Sequence, residues 1–254
     1  MLSEKPWQRD IALEMLLGLF ASICLGAFAG ALAMKLLGNL SATDRKWFGI
    51  ILSTLSFQGA ALLWVRFFLN RERISWSFAF GFGSPRTSRA LLLGIVAGLA
   101  VLPGAWLLMQ VSALLMNLVH IKPEPQEVVR VVQQAVEEAN PDRSLRLLQI
   151  FWAALAVSVV PMAEEIVFRG FLYPLIKQAG RPKLALWGTS LLFAGIHGSL
   201  TLLLPLTFLA VVLVLLYEET DNLLAPILTH CLFNGVNFLL LVFEQPITRA
   251  LSGS

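Results

Sequence analysis

Seven apolar runs, each long or nearly long enough to cross a bilayer as a helix, dominate this sequence. They lie at about Ile11–Leu37, Trp47–Leu69, Ala90–Val119, from near Leu147 onward, Leu184–Ile196, Leu200–Tyr217 and Leu223–Phe243. A span of the roughly 30 Å hydrocarbon core needs about 20 mostly apolar residues. The run from Leu145 to Ile176 would measure roughly 48 Å as one helix, and Pro161 inside it removes a backbone donor. A kink or a break into two pieces is therefore expected. The fold class that follows is all-α: a polytopic integral membrane protein with seven or eight transmembrane helices.

Composition narrows the possibilities further. Of the 254 residues, 57% are hydrophobic and 14% charged, and the mean hydropathy is +0.75. Soluble domains run about 45–50% apolar and about 25% charged, so an ordinary soluble domain is excluded. The chain has no room for a large extramembrane domain. The net charge of +3 is small, and its basic residues sit mostly in connectors, without a basic patch interleaved with aromatics. Nucleic acid is not an expected partner; the lipid bilayer is. Cys24 and Cys231 both fall within apolar runs and read as small buried hydrophobes rather than a disulfide framework. The first run exceeds the roughly 7–15 residues of a signal h-region and reads as an uncleaved first helix.

Three regions are expected. Residues 1–120 hold the N-terminal spans, and residues 147–254 hold a catalytic transmembrane core. Between them, residues 121–146 carry Pro123, Pro125 and the Asn140-Pro141 step around Val128, Val131, Val132, Ala135, Val136 and Ala139 at helical spacing. That pattern suits an amphipathic helix lying in the interface or a solvated linker helix. Lys5 and Arg9, then Arg71, Arg73, Arg86 and Arg89, then Lys177, Arg181 and Lys183 fall on one side if the spans alternate. The positive-inside rule then places the N-terminus in the cytoplasm.

Ionisable residues within a membrane are costly and mark function by default. The C-terminal half carries three polar groups: Glu164-Glu165 with Arg169, His197 after Phe193, and His230 with Asn234. Glu165 and Arg169 are four apart and can pair along one helix face. Glu164 points about 100° away and lacks that partner, which leaves it available as a general base. His230 and Asn234 share a face, and both can donate hydrogen bonds, as a developing oxyanion requires. Read more blandly, Glu165 and Arg169 staple helices, His230 and Asn234 bond across helices, and His197 caps a helix end. Other chemistries lack their signatures. There is no H-E-x-x-H zinc motif and no G-x-S-x-G elbow. Asp10, Asp44, Asp142 and Asp221 all lie in tails or connectors, so no aspartyl dyad can form inside the membrane.

The ordered set E-E-x-x-x-R (Glu164, Glu165, Arg169), F-x-x-x-H (Phe193, His197) and H-x-x-x-N (His230, Asn234) resembles the CAAX protease and bacteriocin-processing family of membrane glutamic endopeptidases, which includes the type II CAAX prenyl proteases. The similarity spans roughly Leu147–Phe243, with no departure at any motif position; the first 120 residues match only as generic spans. The resemblance implies an intramembrane endopeptidase acting on a membrane-associated, prenylated or leader-bearing, peptide or protein. Glu164 would activate water with the help of His197. His230 and Asn234 would hold the oxyanion, and Glu165, Arg169 and Phe193 would support the site. No cofactor is favoured. A zinc form, with Glu164, His197 and His230 as ligands and one open position, is the metal-dependent alternative. Two non-enzymatic readings stand beside it: an immunity or scaffold protein that keeps the cluster for packing, and a transporter, for which the expected inverted repeats are missing.

Overall fold

A computed structural model gives the fold, and it describes residues 2–7, 9–36, 42–85, 87–122, 155 and 157–252. All regular elements among these are helical. The long helix α1 (Arg9–Leu36) is followed by α2 (Ala42–Thr54), which runs through a π-helical turn (Leu55–Gly59) directly into α3 (Ala60–Arg71). A short helix α4 (Trp76–Phe80), capped by the Ser75 hydroxyl, precedes α5 (Thr87–Leu118). The next helical segment, α6, covers residues 157–165. It widens into a second π-helical turn (Ile166–Leu172) and closes as α7 (Tyr173–Gln178). The helices α8 (Pro182–Gly195), α9 (Leu200–Thr220) and α10 (Leu224–Ser252) complete the bundle.

Five segments among the described residues are long and apolar enough to cross a membrane: Leu13–Leu36, Ile51–Arg71, Thr87–Leu118, Leu200–Thr220 and Leu224–Leu241. The all-helical, polytopic architecture expected from the apolar runs is therefore the one observed. With 14 residues, α8 rises only about 21 Å, short of the hydrocarbon core. The amphipathic connector expected over 121–146 lies outside the described residues beyond Lys122. Cys24, expected to be buried, is exposed on α1, and both cysteines are free. Its helix puts only one face against the bundle and the remainder towards lipid.

Helices in lipid gain nothing from excluding water from each other, so close packing and interhelical hydrogen bonds must hold them together. Small residues at four-residue spacing provide the approach. On α1, Gly18, Ser22, Gly26 and Gly30 form one stripe. A Cβ at Gly18 would meet the Trp64 ring at 2.6 Å, and one at Gly26 would meet Ser56 Oγ at 1.8 Å. Ser22 Oγ accepts from Trp64 Nε1 at 3.2 Å. On α5, Gly94 and Gly98 do the same against α10. There a Cβ at Gly94 would lie 2.8 Å from Ala225 O, and one at Gly98 2.9 Å from Leu232. The contact is close enough for the buried Thr229 hydroxyl to donate to Gly94 O at 2.9 Å. That bond fixes α10 one residue before His230.

Charged residues gather at one end of the bundle. Lys5 pairs with Asp221 at 2.6 Å and Arg71 with Glu14 at 2.7 Å. Arg89 meets Glu219, and Lys177 meets Glu218. Representatives of all three basic groups thus lie on the same side, as alternating spans require. The N-terminal segment is tied to this corner. Leu2 N donates to Glu218 and Ser3 Oγ to Asp221. The Trp7 ring stacks on Phe171 at 3.9 Å, and its Nε1 donates to Gly170 O at 2.6 Å. Gly81, at φ +78°, allows the α4–α5 turn to pass against Asp221, where a Cβ would meet the carbonyl oxygen at 2.1 Å.

The expected break into two helical pieces falls beyond Pro161, at a distortion further along. Residues 157–165 are regular helix through Pro161, and the backbone widens only from Ile166. The wide turn carries Arg169 and Gly170. Gly170 passes the Phe80 ring so closely that a Cβ would sit 2.7 Å away, and its carbonyl is the one that Trp7 takes up. Tertiary contacts therefore place the irregularity, and the proline does not.

Two outcomes follow. Gly94→Ala should force α5 and α10 apart and cost about 1–3 kcal/mol, as overpacking does, read as a lower thermal unfolding midpoint in detergent. Burial alone would raise the Asp221 carboxyl, but hydrogen bonds from Lys5 and Ser3 and the Lys5 charge outweigh it and hold it below the usual aspartate range. A depressed folded-state value means the contribution is complete above the unfolded value of about 3.9 and is lost as pH falls through the lower folded value. Amide protection of residues 2–7, corrected for intrinsic exchange, should therefore persist at neutral pH and vanish in that acidic window. Asp221→Asn should lose it at neutral pH.

Candidate active site

The site begins with two adjacent acids at the end of α6. Neighbours on a helix diverge, so Glu164 and Glu165 face different surroundings although both are buried. Glu165 Oε1 accepts from Arg169 Nη1 at 2.8 Å and from His230 Nδ1 at 2.9 Å. This one oxygen links the second π turn to α10. Arg169 is wholly enclosed, and its Nη2 donates to Ala210 O at 3.2 Å, inside α9. The guanidinium lies over the Phe193 ring at 4.6 Å and the Phe168 ring at 5.9 Å. A buried charge requires a partner and satisfied donors. Arg169 finds a carboxylate, a helix carbonyl and two aromatic faces, while its Nε and Glu165 Oε2 are buried without a hydrogen-bond partner among the described residues.

Glu164 has a different environment. Its Oε1 lies 3.4 Å from Gln58 Nε2, and its Oε2 lies 3.8 Å from His230 Nε2. The second separation exceeds a direct hydrogen bond and suits a bridge through one water or a reacting group. His230 therefore stands between the two acids, with Nδ1–H given to Glu165 and Nε2 turned to Glu164. A carboxylate on one imidazole nitrogen fixes the ring's orientation.

Phe193 joins the remaining histidine to this group. Its ring meets His230 edge-on at 5.6 Å and His197 at 4.9 Å. His197 Nδ1 donates to Phe193 O at 2.7 Å. A carbonyl can only accept, so Nδ1 carries a proton. His197 does cap the C-terminal end of α8 through that proton. Asn234 is partly buried one turn after His230 on α10. The sequence-expected residues Glu164, Glu165, Arg169, Phe193, His197 and His230 are thus linked by contacts, and Asn234 follows His230 at the helical repeat.

Gln58 is the residue that the sequence reading did not single out. It lies on the first π turn, among Leu55, Ser56, Phe57 and Gly59. The search there was for ionisable groups inside spans, and a neutral amide passes that filter. A carboxamide in an apolar span was nevertheless a legible signal, because it too must find a partner in lipid.

For the zinc alternative, the test is whether three donors converge. Among the described residues no three His, Cys, Asp or Glu side chains form a group that can hold a metal. Glu164, His197 and His230 are not such a set, so the described residues do not gather a zinc centre.

Residues 146–236 match a family model described as "Rce1-like: Type II CAAX prenyl endopeptidase Rce1-like". No curated protein and no solved structure matches the chain. The matched stretch runs from before Glu164 to just past Asn234 and holds every residue of the cluster except Gln58. Residues 146–236 of this membrane protein, about a third of the chain, are thus similar to the type II CAAX prenyl endopeptidases.

Proposed function

We propose that the chain is a glutamate-dependent intramembrane endopeptidase in which Glu164 activates the attacking water. The observation that supports this most strongly is the pairing of two buried acids with unlike partners. Glu165 is committed to Arg169 and His230, whereas Glu164 faces His230 Nε2 across a gap of 3.8 Å.

In the proposed reaction, water sits against Glu164, with His197 helping to hold it. Glu164 takes one proton, and the oxygen adds to the scissile carbonyl carbon. The carbonyl oxygen becomes an oxyanion, which receives hydrogen bonds from Asn234 Nδ2 and from the His230 imidazole. Preorganised donors in a water-poor site are the largest single source of catalysis in acyl transfer. When the tetrahedral carbon collapses, Glu164 passes its proton to the departing amine. Glu165 and Arg169 hold the His230 ring throughout. No step requires a metal, and the side chains present supply base, acid and oxyanion donors.

The substrate is a peptide bond in a membrane-associated peptide or protein. The family's printed description points to chains bearing a prenylated cysteine; leader-bearing peptides are the other class the resemblance suggests. The basic end of the bundle, with Lys5, Arg71, Arg89 and Lys177, would face the cytoplasm.

Glu164→Gln should abolish cleavage while leaving insertion and folding intact. The measurement is a quantitative comparison of membrane peptides from cells carrying either protein. A Glu164→Gln protein with full activity on a confirmed substrate sinks the proposal, whereas an unchanged cellular phenotype with no cleavage by either protein favours a scaffold or immunity role. Asn234→Ala should lower kcat by about 10²–10³ if its amide serves the oxyanion.

A further inference from the structure

We propose that Gln58, from the N-terminal half of the chain, is part of the catalytic apparatus and orients the attacking water together with Glu164. The inference rests on the proposed role of Glu164 and extends the site beyond the family-matched segment, which begins at residue 146.

Three observations carry it. First, Gln58 Nε2 lies 3.4 Å from Glu164 Oε1. This contact joins residues 106 positions apart and brings the second apolar span to the acid at the end of α6. Second, Gln58 Oε1 is buried and has no hydrogen-bond partner among the described residues. A buried carbonyl oxygen without a partner is expensive and calls for a ligand or function. Third, the residue sits on a π-helical turn (Leu55–Gly59). Such turns occur frequently at functional sites, and no proline lies within this one.

The chemistry follows from the shape of a primary amide. Its nitrogen donates and its oxygen accepts, side by side in one plane. With Nε2 directed at Glu164, Oε1 is held beside the same carboxylate. Glu164 and Gln58 then present two acceptors to one water, one for each of its protons. The proton on the Glu164 side is removed as the oxygen adds to the scissile carbon. The other stays on the new hydroxyl, bonded to Gln58 Oε1. Both O–H bonds are thereby directed, and a lone pair is left facing the substrate carbonyl. Of the charged and titratable groups around the site, His230 from α10 faces Glu164 at 3.8 Å, Glu165 and Arg169 from its own helical segment are turned to each other, and His197 stands at the end of α8. Gln58 is a neutral neighbour from a different helix pair, so it orients Glu164 without changing the charge of the cluster.

The test uses full-length protein in detergent or vesicles. Its probe is an internally quenched synthetic peptide covering the bond identified by the Glu164→Gln comparison. Gln58→Met keeps the side chain's length but removes donor and acceptor. Gln58→Glu keeps its size and polarity but places a carboxylate against Glu164. Each should lower kcat about 10- to 100-fold, the worth of a hydrogen bond to a charged group, with KM within about twofold and the thermal midpoint unchanged. A side chain that only fills space would leave Gln58→Met fully active. A folded Gln58→Met or Gln58→Glu protein with wild-type kcat overturns the inference while Glu164→Gln remains inactive. If Glu164→Gln is itself active, or wild type cleaves no membrane peptide, the proposed function falls and this inference falls with it.

Discussion

The oxygen of Glu165 that serves both Arg169 and His230 is the interaction on which this molecule's interior depends. In a lipid-surrounded bundle there is no water to rescue a charge, so Arg169 must be neutralised by protein alone. Its fork of donors reaches α6 through Glu165 and α9 through Ala210 O, and its planar face is covered by Phe193 from α8. His230 then brings in α10. Four segments of the C-terminal half therefore meet at one ion pair. Removing either charge would leave the other uncompensated in the same enclosure, which is far costlier than never having buried the pair.

That arrangement explains why two adjacent acids can do different work. Glu165 is saturated on one oxygen by a cation and an imidazole. Glu164 has only a long contact to Gln58 and a gap facing His230. The divergence of successive side chains on a helix creates the difference, and the neighbouring helices decide which acid receives which environment. Two π-helical turns flank Glu164, one beginning immediately after Glu165 and one carrying Gln58. Both are places where the backbone gives up regular bonding to present a side chain or a carbonyl, as Gly170 O does to Trp7.

Close helix approach supports the site from outside. The Gly94–Thr229 bond fixes α10 next to His230, and it exists only because glycines at 94 and 98 let α5 come within reach. At the charged end, Lys5, Asp221, Glu218 and Lys177 fasten the N-terminal segment to the turn between α9 and α10. The C-terminal half is thus braced by α5 and by the first residues of the chain, neither of which carries a family motif.

The sequence by itself determined the helical class and the approximate spans, and it singled out Glu164, Glu165, Arg169, Phe193, His197, His230 and Asn234 as candidates. Apolar run length and the cost of charge in lipid are properties of residues in order, so they can be read without coordinates. The i,i+4 pairing of Glu165 with Arg169 was legible for the same reason. The tertiary structure alone decided that His230 stands between the two acids, that the helix widens at Ile166 and not at Pro161, that Cys24 faces outward, and that Gln58 reaches Glu164. Each of these depends on which faces of distant helices meet, and periodicity along one helix carries no record of its neighbour.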